Sequence, residues 1–152
     1  MLRLNHTALH RIKLHAMQTY PEECCGVLIG RDDGERKTVC DILEIKNAKE
    51  ENRARRFLIT PEDYKWAEER AREEGVDVMG FYHSHPDHPA RPSQFDLDHA
   101  VPWCSYIIVS VEAGLPAAVN SWVLMDDHSE FSEEQLDVLD GEFIRQCKQY
   151  QA

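Results

Sequence analysis

The chain has 152 residues, 42% of them hydrophobic and 30% charged, which is the composition of one globular domain with its own core and excludes wholesale disorder. Its 17 basic and 28 acidic residues leave a formal charge of −11, so an acidic surface argues against nucleic acid or an anionic membrane as partner. No apolar run stands behind a basic start in Met1-Leu2-Arg3-Leu4-Asn5, so neither a secretory signal nor a membrane span is expected. The five cysteines, Cys24, Cys25, Cys40, Cys104 and Cys147, show no repeated spacing and read as packing thiols of a cytoplasmic protein.

Leu9, Ile12, Ala16 and Met17 form a helical apolar stripe from an Asn5 cap to Tyr20, where Pro21 stops it. Cys25 to Gly30 and Thr38 to Ile45 are β-branched apolar runs on either side of Asp32-Asp33-Gly34, which predicts a hairpin. Lys46 to Arg56 is a polar, charged loop leading to Phe57-Leu58-Ile59. Thr60-Pro61-Glu62-Asp63 supplies a capping hydroxyl, proline at the first helical position and acids in the first turn, so a helix runs from here to Gly75.

Val76 to Ser84 reads as a buried strand that delivers His83 and His85 to a proline-studded loop, Pro86 to Pro92. Ser93 caps a short helix through about Ala100. Tyr106 to Val111, apolar almost throughout, predicts a central strand, and Ala117 to Met125 a further one. Beyond Phe131 the pattern is mixed: Ser132-Glu133-Glu134-Gln135 can cap a helix, but the alternation from Glu134 to Leu139 favours a strand followed by a frayed tail.

Two histidines two residues apart on a strand project from one face and can reach one metal ion. Asp96 joins them from the next element, and two imidazole nitrogens with one carboxylate suit Zn2+ while leaving a fourth tetrahedral position to water. Ser93-x-x-Asp96 also reads as a capping arrangement, and both roles can hold together. A base to take a proton from that water is offered by Glu22 or Glu23, which periodicity does not separate. His6, His10 and His15 read as surface residues, His88 as a loop residue and His99 as packing or solvent-facing, with Trp103 and Trp122 as core aromatics. The H-E-x-x-H helix, the Gly-rich phosphate loop, the G-x-S-x-G elbow and the deaminase P-C-x-x-C are absent.

The combination Glu23-x-x-Gly26, His83-x-His85-Pro86 and Ser93-x-x-Asp96 resembles the JAMM (MPN+) zinc metallopeptidases. His-Ser-His-Pro-Asp-His-Pro-Ala-Arg-Pro-Ser, with Trp103-x-Ser105-Tyr106-x-Ile108-Val109-Ser110, is most similar to the small bacterial branch that acts on ubiquitin-like sulfur-carrier proteins. The likeness extends to about Phe131. It implies one JAMM/MPN+ domain over residues 1–152, disordered from about 140, with an α/β (α+β), cytidine-deaminase-like MPN fold: a mixed β-sheet flanked by helices. It further implies Zn2+ on His83, His85 and Asp96, and Glu23 rather than Glu22 as general acid/base. Ser93 would bond the developing oxyanion or position the water. The implied substrate is the Gly-Gly tail of a ubiquitin-like sulfur-carrier protein, cut after the second glycine. No large insertion of the kind that selects a polyubiquitin linkage is present. The alternative, a non-catalytic MPN scaffold that binds a partner protein, is disfavoured because such members generally lack the ligands. A DNA-repair-associated relative is disfavoured by the acidic charge and the loop sequence.

Overall fold

The computed structural model describes residues 1–54, 56–127 and 129–139; the tail expected from about 140 lies outside them. The elements run β1 (Leu2–Asn5), α1 (His6–Thr19), β2 (Cys25–Asp32), β3 (Lys37–Ile45), α2 (Pro61–Glu73), β4 (Asp77–Pro86), α3 (Gln94–His99), β5 (Ser105–Glu112), β6 (Leu115–Leu124), β7 (Phe131–Glu134) and β8 (Leu136–Leu139). The strands make one mixed sheet of eight, ordered β7-β6-β5-β4-β2-β3-β1-β8, with β4 and β2 at its centre. β4 runs parallel to β5 and antiparallel to β2.

The two long helices cover opposite faces. The stripe of α1 buries Ala8, Ile12 and Ala16 against Leu28, Tyr82, Ile107 and Val109. α2 buries Ala67 and Ala71 against Val27, Ile29, Phe81 and Tyr106 on the opposite face. The caps are those the sequence supplies: Asn5 accepts from the Ala8 N–H at 2.7 Å, and Thr60 from the Asp63 N–H at 3.1 Å. Gly75, with φ +70°, follows α2 in the left-handed conformation that glycine takes at no steric cost.

Two features differ from the sequence expectation. β1 is a strand where only a lead-in to α1 was expected: Leu2 and Leu4 are fully buried, and four residues are too few to display a period. The strand expected over Glu134 to Leu139 is instead the end of β7 and the whole of β8, divided at Gln135. β7 pairs with β6 and β8 with β1, at opposite ends of the strand order, so consecutive residues link the two edges and the sheet curls until they meet. The Leu2 N–H donates to the Gln135 carbonyl at 2.9 Å at that meeting point.

Several single residues also depart from expectation. Trp103 is not a core aromatic; it is 72% exposed and has φ +74°. Cys40 is disulfide-bonded, whereas Cys24, Cys25 and Cys104 are free thiols and Cys147 lies outside the described residues. His6 and His10 are exposed, but His15 is half-buried, with Nδ1 2.7 Å from the Tyr82 hydroxyl.

Candidate metal centre

The register of β2 on β4 positions the candidate base. Cys25 lies opposite His83, and the ladder continues past β2: the Ser84 N–H donates to the Cys24 carbonyl at 3.2 Å, and the Cys24 N–H to the Ser84 hydroxyl at 2.8 Å. Two residues on, Glu23 therefore falls beside His85 and on the same face of the sheet. Glu22, one residue back, is exposed. Gly26 lies opposite Tyr82, and a Cβ there would come within 2.1 Å of the tyrosine ring. The glycine three residues after Glu23 lets Tyr82 lie flat across β2.

Three donor atoms converge. His83 Nε2 is 3.1 Å from His85 Nε2 and 3.2 Å from Asp96 Oδ2, and His85 Nε2 is 3.1 Å from the same oxygen. Ligands at about 2.0–2.1 Å from a tetrahedral zinc stand roughly 3.3 Å apart, so the triangle has the dimensions of one face of such a site. Its hydrogen bonding points the same way. His85 Nδ1 lies 2.8 Å from the Pro89 carbonyl, which can only accept, so Nδ1 carries a hydrogen and Nε2, the atom facing Asp96 and His83, is the one whose lone pair a metal would take. A lone pair facing a carboxylate is repulsive without a cation between them. Burial lowers the His83 pKa against the opposing pull of Asp96, favouring the neutral, ligating imidazole.

Burial alone would raise the Asp96 carboxyl, but positive charge on the facing imidazoles, or on a cation held between them, together with the Ser93 N–H donating at 2.8 Å, holds it well below the usual range. Glu23 goes the other way. It is 1% exposed, neither carboxylate oxygen has a hydrogen-bond partner, and burial with the nearby Asp96 charge pushes its pKa up to about 9. Glu23 Oε1 stands 3.9 Å from His85 Nε2, outside the triangle. Donor atoms of Glu23, His83 and His85 also lie within 4.8 Å of one another, an alternative set. The shorter distances favour Asp96 as third ligand and leave Glu23 free to handle protons. The orphaned carboxylate, the crowded lone pairs and the N/O donor set fit Zn2+.

α3 presents Asp96 through a full capping box: Ser93 Oγ accepts from the Asp96 N–H at 3.1 Å while Asp96 accepts from the Ser93 N–H. The capping box leaves Asp96 Oδ2 within reach of both histidines, and the Ser93 hydroxyl keeps its own hydrogen to donate.

The sequence reading missed the residues that hold this arrangement. Asn47 donates from Nδ2 to the Glu23 carbonyl at 3.1 Å and the Arg56 carbonyl at 3.0 Å, while its Oδ1 accepts from the Lys49 and Leu58 N–H groups. The Glu23 N–H donates to the Arg53 carbonyl at 2.6 Å, so the loop grips the backbone of Glu23 on both sides. Phe57 stacks on His83 at 4.5 Å. Trp122 Nε1 donates to the Ala90 carbonyl at 3.0 Å, so this half-buried tryptophan braces the proline-rich loop. Asn47 stands in a polar run with nothing local to single it out; only the fold brings Glu23 to it.

Two cavities meet at the triangle. One of about 450 Å³ is mainly apolar, walled by Phe57, Ile59, Tyr64, Phe81 and Tyr106, with His83 and Asp96 at its edge. The other, about 380 Å³, has walls of Ala54 and prolines and contains the polar groups of Glu23, His85, His88, Arg91 and Ser93. His99 is exposed, stacks on Phe95 at 4.1 Å and stays outside the triangle.

A mixed sheet between two helices, carrying His-x-His on its central strand and a carboxylate on the following helix, defines a JAB1/MPN-type domain. Residues 6–125 match the prokaryotic homologs of the JAB domain, and the chain belongs to that family, within the JAMM/MPN group. It is similar to solved structures from Desulfitobacterium hafniense (30% identity, TM-score 0.82, 93% of this chain and 94% of that one) and Salinibacter ruber (42%, 0.72, 92% and 93%). A JAB1/MPN domain protein from Archaeoglobus fulgidus shares the fold at 20% identity and TM-score 0.57 over 91% of this chain and 97% of that one. Among curated relatives, the desampylase of Haloferax volcanii is 35% identical over 64% of this chain and 68% of its own length. The desampylase of Pyrococcus furiosus is 28% identical over 76% of each. Tail tip assembly protein K of Escherichia phage N15 is 32% identical over 61% of this chain, a match spanning only 34% of that protein. Among the described residues no helix is long and apolar enough to cross a membrane.

Proposed function

We propose that the protein is a zinc-dependent peptidase or isopeptidase that hydrolyses the bond after the C-terminal Gly-Gly of a ubiquitin-like, sulfur-carrier-type protein. The observation that carries this reading is the triangle of His83, His85 and Asp96 with the unpartnered Glu23 carboxylate beside it. Similarity to two desampylases supports an activity on ubiquitin-like conjugates.

His83, His85 and Asp96 would hold the metal. Zn2+ supplies Lewis acidity there, lowering the pKa of water toward about 7 and polarising the scissile carbonyl. Beside a cation at the triangle the Glu23 carboxyl would return to its charged form, and Glu23 then takes the proton as the water oxygen bonds to the carbonyl carbon. The Ser93 hydroxyl donates to the developing oxyanion, an interaction whose loss typically costs on the order of a hundredfold or more in turnover. When the C–N bond breaks, its electron pair stays on nitrogen and Glu23 returns the proton to the leaving amine. Tyr64, Phe81 and Tyr106 offer an apolar wall beside the triangle for the acyl-side tail, whose two glycines would pass the metal without side-chain bulk.

Glu23→Gln is expected to retain zinc and lose turnover at least about hundredfold, whereas His83→Ala loses both. Metal content by mass spectrometry, measured beside cleavage of Gly-Gly-extended carriers, tests this. A fully active Glu23→Gln protein would overturn the assignment. Failure to bind zinc at micromolar metal would favour the scaffold reading instead.

A further inference from the structure

The smaller cavity, which holds Glu23, contains one guanidinium that nothing in the proposed reaction uses. Arg91 is the only Arg or Lys among the described residues lining it, alongside Glu23, His88 and Ser93. No hydrogen bond or ion pair engages its side chain among the described residues.

Its backbone is firmly held. The Arg91 N–H donates to the Pro89 carbonyl at 2.8 Å, and Pro92 follows directly. The neighbouring Ala90 is buried, and its carbonyl accepts from both Trp122 Nε1 and Asn120 Nδ2, at 3.0 and 3.2 Å. Earlier in the loop, the Asp87 N–H donates to the Val111 carbonyl at 2.7 Å and the Asp87 carboxylate accepts from the Ala113 N–H at 2.9 Å. The base of a charged side chain is thus fixed, while its charged end stays free for an anion.

Glu23 says which anion. On the proposed function, on which this step rests, the Glu23 carboxyl returns a proton to the leaving amine, so that amine enters the cavity Glu23 shares with Arg91. If the leaving group is a C-terminal amino acid, its α-carboxylate lies two bonds from that nitrogen. If it is a lysine Nε joined through an isopeptide, a long aliphatic stem occupies that place with no charge nearby. We propose that Arg91 forms a carboxylate subsite for the leaving group and directs the enzyme toward short C-terminal extensions with a free α-carboxylate, in preference to isopeptide-linked lysine. The cavity, about 380 Å³, suits a leaving group of a residue or so.

The experiment uses zinc-loaded protein and three peptides that share a Gly-Gly tail: one extended by alanine with a free carboxylate, its C-terminal amide, and one joined to a lysine Nε. Wild type is expected to show kcat/KM for the acid roughly tenfold or more above the amide and the isopeptide, the scale of a charge-assisted hydrogen bond. In Arg91→Ala the acid-to-amide ratio falls to about one at unchanged zinc content, and Arg91→Lys restores part of it. A wild-type ratio near one, or a ratio that survives in Arg91→Ala, overturns the subsite. If no peptide is cleaved, the proposed peptidase reading fails for these substrates, and calorimetric binding of acid and amide to zinc-loaded Glu23→Gln decides the subsite separately. Tighter binding of the acid that disappears in Glu23→Gln/Arg91→Ala sustains it, and equal affinities overturn it.

Discussion

At the residue scale, the Glu-x-x-Gly spacing acquires a steric cause. Tyr82 is fully buried with its hydroxyl 2.7 Å from His15, and its ring crosses β2 where Gly26 leaves space. A methyl group at residue 26 would meet the Tyr82 ring at 2.1 and 2.3 Å and its hydroxyl at 2.5 Å, and a ring pinned by α1 cannot swing aside as the end of a lysine would. Gly26→Ala is therefore expected to destabilise the fold by about 1–3 kcal/mol, as overpacking does, read as a lowered denaturant midpoint. Made in a Tyr82→Leu background the same change should cost markedly less, because the clash partner has gone; equal costs in the two backgrounds would show that the ring is not the cause. Tyr82 lies between Phe81 and His83 on β4 but faces α1, so the strand that presents the ligands is held from behind by this packing.

At the scale of elements, the loop from Lys46 to Arg56 is a strut for Glu23, with Asn47 as its fastening. All four hydrogen-bonding positions of the Asn47 amide are used, one of them on the Glu23 carbonyl. Asn47→Ala should leave zinc binding intact, since His83, His85 and Asp96 sit on β4 and α3, yet lower kcat about tenfold to a hundredfold by loosening the carboxylate. Asn47→Asp, which keeps the acceptor and loses the donors, should fall close to it; a metal-depleted Asn47→Ala protein would mean that the loop supports the ligands too. α1, α2 and α3 were legible because their signals are local: Asn5, Thr60 and Ser93 mark the starts, and Pro21 and Gly75 mark two of the ends. Of the five candidate site residues, His83, His85, Ser93 and Asp96 stood out for a different reason, since chemistry restricts which side chains suit a metal site, whereas Glu23 was separated from Glu22 only by the family resemblance. Asn47, Phe57 and Trp122 were not, because each acts through a partner distant in sequence, and the same limit sent Trp103 and His15 to the wrong environments.

At the scale of the molecule, what local pattern could not reveal is closure of the sheet. β1 lies between β3 and β8, with Leu2 opposite Leu136 and Leu4 opposite Val138, and buries Leu2 and Leu4 completely. Without β8, the β1 edge would be an unpaired ladder beside apolar side chains, the arrangement that promotes pairing between molecules. Leu136 and Val138 are half-buried against the α1 core. Half-burying two aliphatic side chains contributes about 2 kcal/mol, and about 3 °C of melting temperature accompanies each kcal/mol in a chain of this size. A chain ending at Glu134 is thus expected to melt at least about 6 °C below one ending at Leu139 and to self-associate, with thermal denaturation and light scattering as the two readouts. Both truncated chains lack everything after Leu139, so the difference isolates β8 and Gln135. The triangle proposed to hold zinc is built from central β4 and from α3, away from that edge, so at low temperature the shorter chain should still take up zinc at the same stoichiometry. Loss of zinc together with stability would mean that closure of the sheet also sets the geometry of its centre.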